Sequence, residues 1–328
     1  MSDKKVIPTW LRRASYVAVV LLALAILLQS QAMADWWKLR NYKPSDEIAK
    51  LVEDTTMSRY ASRLFYVNHA EIIEKKDFVK VCPSSEEKTI VLGCYKSGEN
   101  GIHILAVTDK RLEGVEEVTA AHEMLHAAYE RLREQDREHL NGLLQKFYQN
   151  DLKDQRIKDV LKSYQKSEPG QELNEMHSIF GTEIAALPEE LETYYKNYFA
   201  DRSKVTGYAA RYQAEFTSRQ TQIKKDDAQL SAWKQQITTN EAQLDSRRQM
   251  LEQEQADMEA ARAAGKTDTY NALVPHYNAE VGAYNMLLAH TRRLIVQYNR
   301  LVNERNAIAV ETTQLQKALS GSLSPIEQ

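Results

Sequence analysis

The stretch that decides the reading of this chain is Thr119–Ala128, "TAAHEMLHAA". His122 and His126 stand four residues apart in it, and Glu123 directly follows the first. On a helix, residues i and i+4 share a face, so both imidazoles would point the same way with the carboxylate alongside. Ala120, Ala121, Met124, Leu125, Ala127 and Ala128 surround these three with uncharged side chains. That composition predicts a helix buried on most sides, with its polar chemistry confined to one spot.

Two imidazoles on one face suit a divalent ion, and zinc accepts nitrogen and carboxylate ligands in tetrahedral geometry. Bound Zn²⁺ lowers the pKa of its water to about 7, and a neighbouring carboxylate can take the proton as that water attacks a carbonyl. His122 and His126 are therefore candidate metal ligands and Glu123 a candidate general base. Two rivals stand beside this reading. The spacing could be accidental, or the histidines could tie down a core helix by hydrogen bonds.

The stretch resembles the active-site helix of the zincin metallopeptidases, in which Thr or Val precedes the first His by three residues; Thr119 fills that place. The resemblance covers about residues 45–198, specific at the motif and loose elsewhere. It implies peptide hydrolysis and a sheet preceding the helix, with an edge strand lining the substrate cleft. "GIHILAVTD", Gly101–Asp109, would supply that edge. The metzincin continuation needs Gly and His where Tyr129 and Leu132 stand, which excludes that subclass. The gluzincin pattern takes its third ligand from a later helix, often within N-E-x-x-[SA]. Asn174-Glu175-Met176-His177-Ser178 matches it, so the resemblance implies Glu175 as third ligand, with Glu183 and His177 as alternatives. A merely solvated acidic face is the plain reading of that segment.

The charge balance, 43 basic against 46 acidic residues, gives no basic surface for nucleic acid. Residues 1–35 are different. Lys4, Lys5, Arg12 and Arg13 precede the apolar run Tyr16–Leu28, a pattern that sends the rest of the chain across a membrane. The segment reads as a membrane anchor, with Trp36 and Trp37 in the interfacial belt, or as a signal peptide removed after Ala32-Met33-Ala34, the plain alternative to both being a buried soluble helix. Anchor and signal peptide alike export the body of the protein. In an oxidising compartment Cys82 and Cys94 can pair; otherwise they are two small apolar residues in a sheet.

Residues 36–200 read as an α+β domain. Ser45 caps a helix with Ile48 and Leu51 on its apolar side, and Ala70–Cys82, Lys88–Lys96 and Gly101–Asp109 then read as strands of a small antiparallel sheet, with helices after Leu112. The polar stretch between Arg133 and Gly170, His139 included, reads as surface. Tyr194, Tyr195 and Tyr198 are candidate oxyanion donors, with core packing as the plainer role.

Residues 201–320 read as a coiled-coil helical hairpin, and 321–328 as a disordered tail. Phe216, Ile223, Leu230, Ile237, Leu244, Leu251 and Met258 recur every seven residues. After "AAGKTDT", Tyr270, Tyr277, Tyr284, Thr291 and Tyr298 do the same, with Val274, Val281, Leu288, Ile295 and Val302 four residues on. Asn240, Arg247 and Glu254 interrupt the second row of the first run, which predicts looser packing or packing shared with another chain. The expected whole is an exported, membrane-anchored zinc metallopeptidase acting on peptide or protein substrates, or a secreted one if cleaved after Ala34. Its hairpin would bind a partner, self-associate or gate the cleft. The rival is a non-enzymatic envelope scaffold whose coiled coil is the functional part.

Overall fold

A computed structural model describes residues 31–83, 91–98, 101–167 and 169–319. The apolar run Tyr16–Leu28 and the tail 321–328 lie outside the described residues. Among the described residues no helix is long and apolar enough to cross a membrane. The chain divides into two compact units, Met1–Tyr212 with Ala318–Gln328, and Gln213–Lys317.

In the first unit, α1 (Asp46–Asp54) and α2 (Arg59–Val67) lead to β1 (Glu71–Ile73), α3 (Lys75–Val81), β2 (Gly93–Lys96) and β3 (Gly101–Leu105). Then come α4 (Val115–Glu130), α5 (Glu134–Asn150), α6 (Gln155–Ser167), α7 (Glu172–Glu183), α8 (Glu189–Tyr195) and the start of α9 (Arg202–Ala263). Ser45 and Ser58 cap α1 and α2 by accepting hydrogen bonds from the Ile48 and Ala61 backbone N–H groups, at 3.3 and 3.1 Å.

The sheet is mixed, not antiparallel. Its order is β1-β3-β2, with β1 parallel and β2 antiparallel to β3. A parallel pair needs a crossover, and the chain makes one through α3 and β2 before returning beside β1. The strand expected over Ala70–Cys82 is correspondingly only three residues long. From Lys75 to Val81 the chain is helical: charges fall on both alternating faces of "EKKDFVKV", so no strand face would be apolar, whereas one turn of helix buries Phe78.

Alternation along β3 builds the two layers. Ile102 and Ile104 turn to the main core with α4, while Leu105 joins Phe78 and Cys82 beneath α3. The Cys82–Cys94 disulfide, Cα atoms 6.0 Å apart, ties the end of α3 to β2. The polar stretch after Arg133 is not all surface. Leu140, Leu144 and Phe147 of α5 and Ile157 and Leu161 of α6 are buried in the core, although His139 is exposed.

In the second unit the rest of α9 and α10 (Thr267–Leu319) pack together. Arg219–Glu311 (3.5 Å), Asp227–Arg305 (3.0 Å), Arg247–Glu280 (2.5 Å) and Glu254–His276 (2.6 Å) link them, the numbers rising along one helix as they fall along the other. The two helices are therefore antiparallel. Gly265, at φ +66°, makes the turn, and Lys266 N–H closes on Ala261 C=O as in a left-handed helix cap. Ile223, Leu230, Ile237, Leu244, Leu251 and Met258 are half-buried in the seam, and Asn271, Asn278, Asn285 and Asn299 face solvent. The interrupted row is also covered: Asp226 and Asn240 are buried, and Arg219, Arg247 and Glu254 half-buried.

Candidate metal centre

Helix α4 runs through the middle of the first unit, and twelve of its sixteen residues are buried. Its small side chains let α7, β2, β3 and α2 pack closely around it. Near its middle, the His spacing sets a polar cluster that meets polar groups of α7.

His122 Nε2 and His126 Nε2 lie 3.0 Å apart. Glu175, in the first turn of α7, places Oε2 3.6 Å from His122 Nε2 and Oε1 3.4 Å from His126 Nε2. These three separations straddle the edge of about 3.3 Å that a tetrahedron with metal–ligand bonds of ~2.0–2.1 Å would have. His126 Nδ1 is 2.9 Å from Asn174 Oδ1, an acceptor, so the imidazole donates from Nδ1 and turns Nε2 toward His122 and Glu175. Two imidazole lone pairs cannot face each other at that distance without a proton or a cation between them.

Glu175 is 5% exposed, and among the described residues its Oε2 has no hydrogen-bond partner. A buried carboxylate oxygen left without a partner is costly, and a cation is the partner this geometry fits. Burial alone would raise the Glu175 carboxyl; His126 and then His122 outweigh it and hold the group below its usual range. The helix N-terminus on which it sits also favours the charged form. His122, His126 and Glu175 are thus the residues that fit a divalent metal ion.

Glu123 is buried beside them, facing β2. A Cβ at Gly93 would lie 2.9 Å from Glu123 Oε1 and 2.5 Å from Thr119 Cγ2, so only glycine lets the strand approach α4 this closely. A cleft of about 570 Å³ opens over the cluster, with Tyr95, Tyr129, Arg137 and Tyr164 among its walls. The strand along it is β2, which lies at the sheet edge. The strand expected there, from Gly101 onward, is the central one. Tyr95 and Ser97 donate their hydroxyl hydrogens to Glu130, pinning that edge to the end of α4.

No protein-family model, curated protein or solved structure matches this chain. The site therefore rests on its own geometry.

The alternative ligands lie elsewhere. His177 is fully buried, 3.1 Å from the Tyr194 hydroxyl; burial first, then His126 and His122, push it down to about 3, so it is neutral. Glu183 pairs with Arg156 at 2.8 Å. Tyr194, Tyr195 and Tyr198 form an aromatic cluster around His177 and do not line the cleft. Their hydroxyls serve the core: Tyr195 donates to His177 C=O at 2.7 Å, and those of Tyr194 and Tyr198 are 3.1 Å apart. Sequence reasoning missed Gly93, Arg137 and the Asn174 contact. Asn174 stood inside the quoted pattern and Gly93 interrupts a β-rich run, but nothing local marks Arg137.

Proposed function

We propose that this protein is an exported, membrane-anchored zinc metallopeptidase of gluzincin type. The observation that carries the reading is the convergence of His122, His126 and Glu175 at the floor of a cleft, with Glu123 next to them. When bound, Zn²⁺ would supply Lewis acidity toward a peptide carbonyl and a water made acidic enough to react near neutral pH.

The chain's own residues do the rest. His122, His126 and Glu175 hold the ion, and Asn174 orients His126. Glu123 accepts the proton of the attacking water at a carboxylate oxygen and passes it to the departing amine nitrogen. The outer edge of β2, unpaired by any strand among the described residues, offers main-chain hydrogen bonds to an extended peptide, and Tyr95 and Tyr129 offer apolar walls. The hairpin of α9 and α10 presents a separate surface for a protein partner.

The test is hydrolysis of a fluorogenic peptide library by the full chain loaded with zinc. Glu123→Gln should lower turnover by about 10²–10⁴-fold while zinc stays bound. A zinc-loaded parent protein that cleaves nothing would favour the scaffold reading, in which the hairpin carries the function.

A further inference from the structure

Residues 31–39 are helical, and their two sides are of opposite character. Asp35 and Leu39, four residues apart, turn inward. Asp35 is 6% exposed and receives hydrogen bonds from Arg131 Nη1 and Nη2 at 2.8 and 3.1 Å, with Arg63 Nε 3.8 Å away. Arg63 also donates to Ala32 C=O at 3.0 Å. Arg131 is the C-terminal cap of α4, the helix that carries His122 and His126. A bidentate pair of this kind fixes orientation as well as distance.

Met33, Trp36 and Trp37 lie on the other side at spacing i, i+3, i+4, and are 55, 61 and 64% exposed. The Arg40 guanidinium stacks 4.3 Å over the Trp37 ring. Two neighbouring indoles and a methionine bared to water on one helix face call for a cover that is apolar at one level and polar at the next. Tryptophan and arginine together are suited to the boundary between lipid tails and headgroups.

The membrane anchor of the proposed function, on which this inference rests, supplies that cover. The apolar run ends at Leu28, five residues before Met33. Five residues span at most about 18 Å, so the face cannot lie far from wherever that run resides. We infer that the Met33–Trp36–Trp37–Arg40 face is a membrane-docking surface seated in the lipid interface, and that the Asp35–Arg131 clamp makes α4 hold a fixed attitude to the bilayer. The site on α4 would then work at a set orientation over the membrane rather than on a loose tether. This inference does not depend on the metal chemistry.

The experiment uses the full chain in phosphatidylcholine vesicles, with Trp10 and Trp233 replaced by Phe so that only Trp36 and Trp37 emit. Docking predicts strong quenching by lipids brominated near the carbonyls, weaker quenching by lipids brominated near the chain ends, and about threefold less quenching by aqueous iodide than in the urea-unfolded chain. Iodide access equal to that of the unfolded chain, with no bromolipid quenching, would overturn it. Protection from iodide without bromolipid quenching would also overturn it, by assigning the face to a second copy of the chain. Asp35→Ala should keep the bromolipid quenching while amide exchange over residues 31–39 rises about tenfold. Unchanged exchange in that variant would remove the clamp from the account.

Discussion

In the unit built around α4, ionisable groups on neighbouring helices gather at one place. Glu175, His122 and His126 meet within a few ångströms, beside a core built of aliphatic and aromatic side chains. Along α9 and α10 the covered polar groups are spread out instead. Arg219, Asp226, Asn240, Arg247 and Glu254 recur at seven-residue intervals, save for Trp233, and most find a carboxylate, amide or imidazole nearby. Clustered polarity in an apolar core points to a ligand that completes it. Distributed polarity in a seam sets the register of two helices and weakens their packing.

The largest expected effect separates the units by their covalent ties. The disulfide lies wholly in the first unit, and the described cysteines leave none free for the second. Replacing Cys82 and Cys94 by Ser should cost the first unit about 3 kcal/mol. Urea unfolding followed by near-ultraviolet dichroism for the first unit and by Trp233 fluorescence for the second would show it. A shift confined to Trp233 would break the division.

Asn174→Ala sharpens the other side of the comparison. Its Oδ1 holds His126 of the proposed metal cluster, so zinc affinity should fall about 10–100-fold. Competition with a chromogenic chelator reads this directly, and an unchanged affinity would reduce Asn174 to a structural contact. Asn240→Leu should act in the opposite sense. Asn240 is buried with its Nδ2 unpartnered among the described residues, so removing the amide should stabilise the hairpin by about 1–2 kcal/mol, read as a higher Trp233 midpoint. A destabilised variant would show that Asn240 has a partner across the seam.

The smallest effect belongs to Arg247→Ala. The Arg247–Glu280 pair is close, but both side chains are partly exposed, so its loss should cost about 0.5–1 kcal/mol. A cost several times larger would mean that the seam is as dry as the core around α4.

The same contrast separates what the sequence makes legible from what only the folded chain determines. The His122–His126 spacing and the 4-3 rows of the hairpin are short-range periodicities, and a helix converts them directly into faces. The segment containing Glu175 was readable because its neighbours, Asn174 and Ser178, made a pattern around it. What depended on distant packing was not readable. β1 and β3 pair in parallel across about thirty intervening residues, and that pairing moved the cleft edge from β3 to β2. Lys75–Val81 is a short apolar-and-charged run that either secondary structure could accept, and its packing under β3 decided for helix. Arg137 reaches the cleft only because α5 folds back beside α7, and Asn240 reads as a fault in a heptad until the partner helix covers it.

His122, His126 and Glu175 are proposed to converge because they hold zinc, and elemental analysis of the purified full chain tests this. The expected result is about one zinc per chain, lost in His122→Ala and weakened by at least tenfold in Glu175→Ala, with the fold retained by circular dichroism. A parent protein that takes up no zinc, even after incubation with the metal, would contradict it.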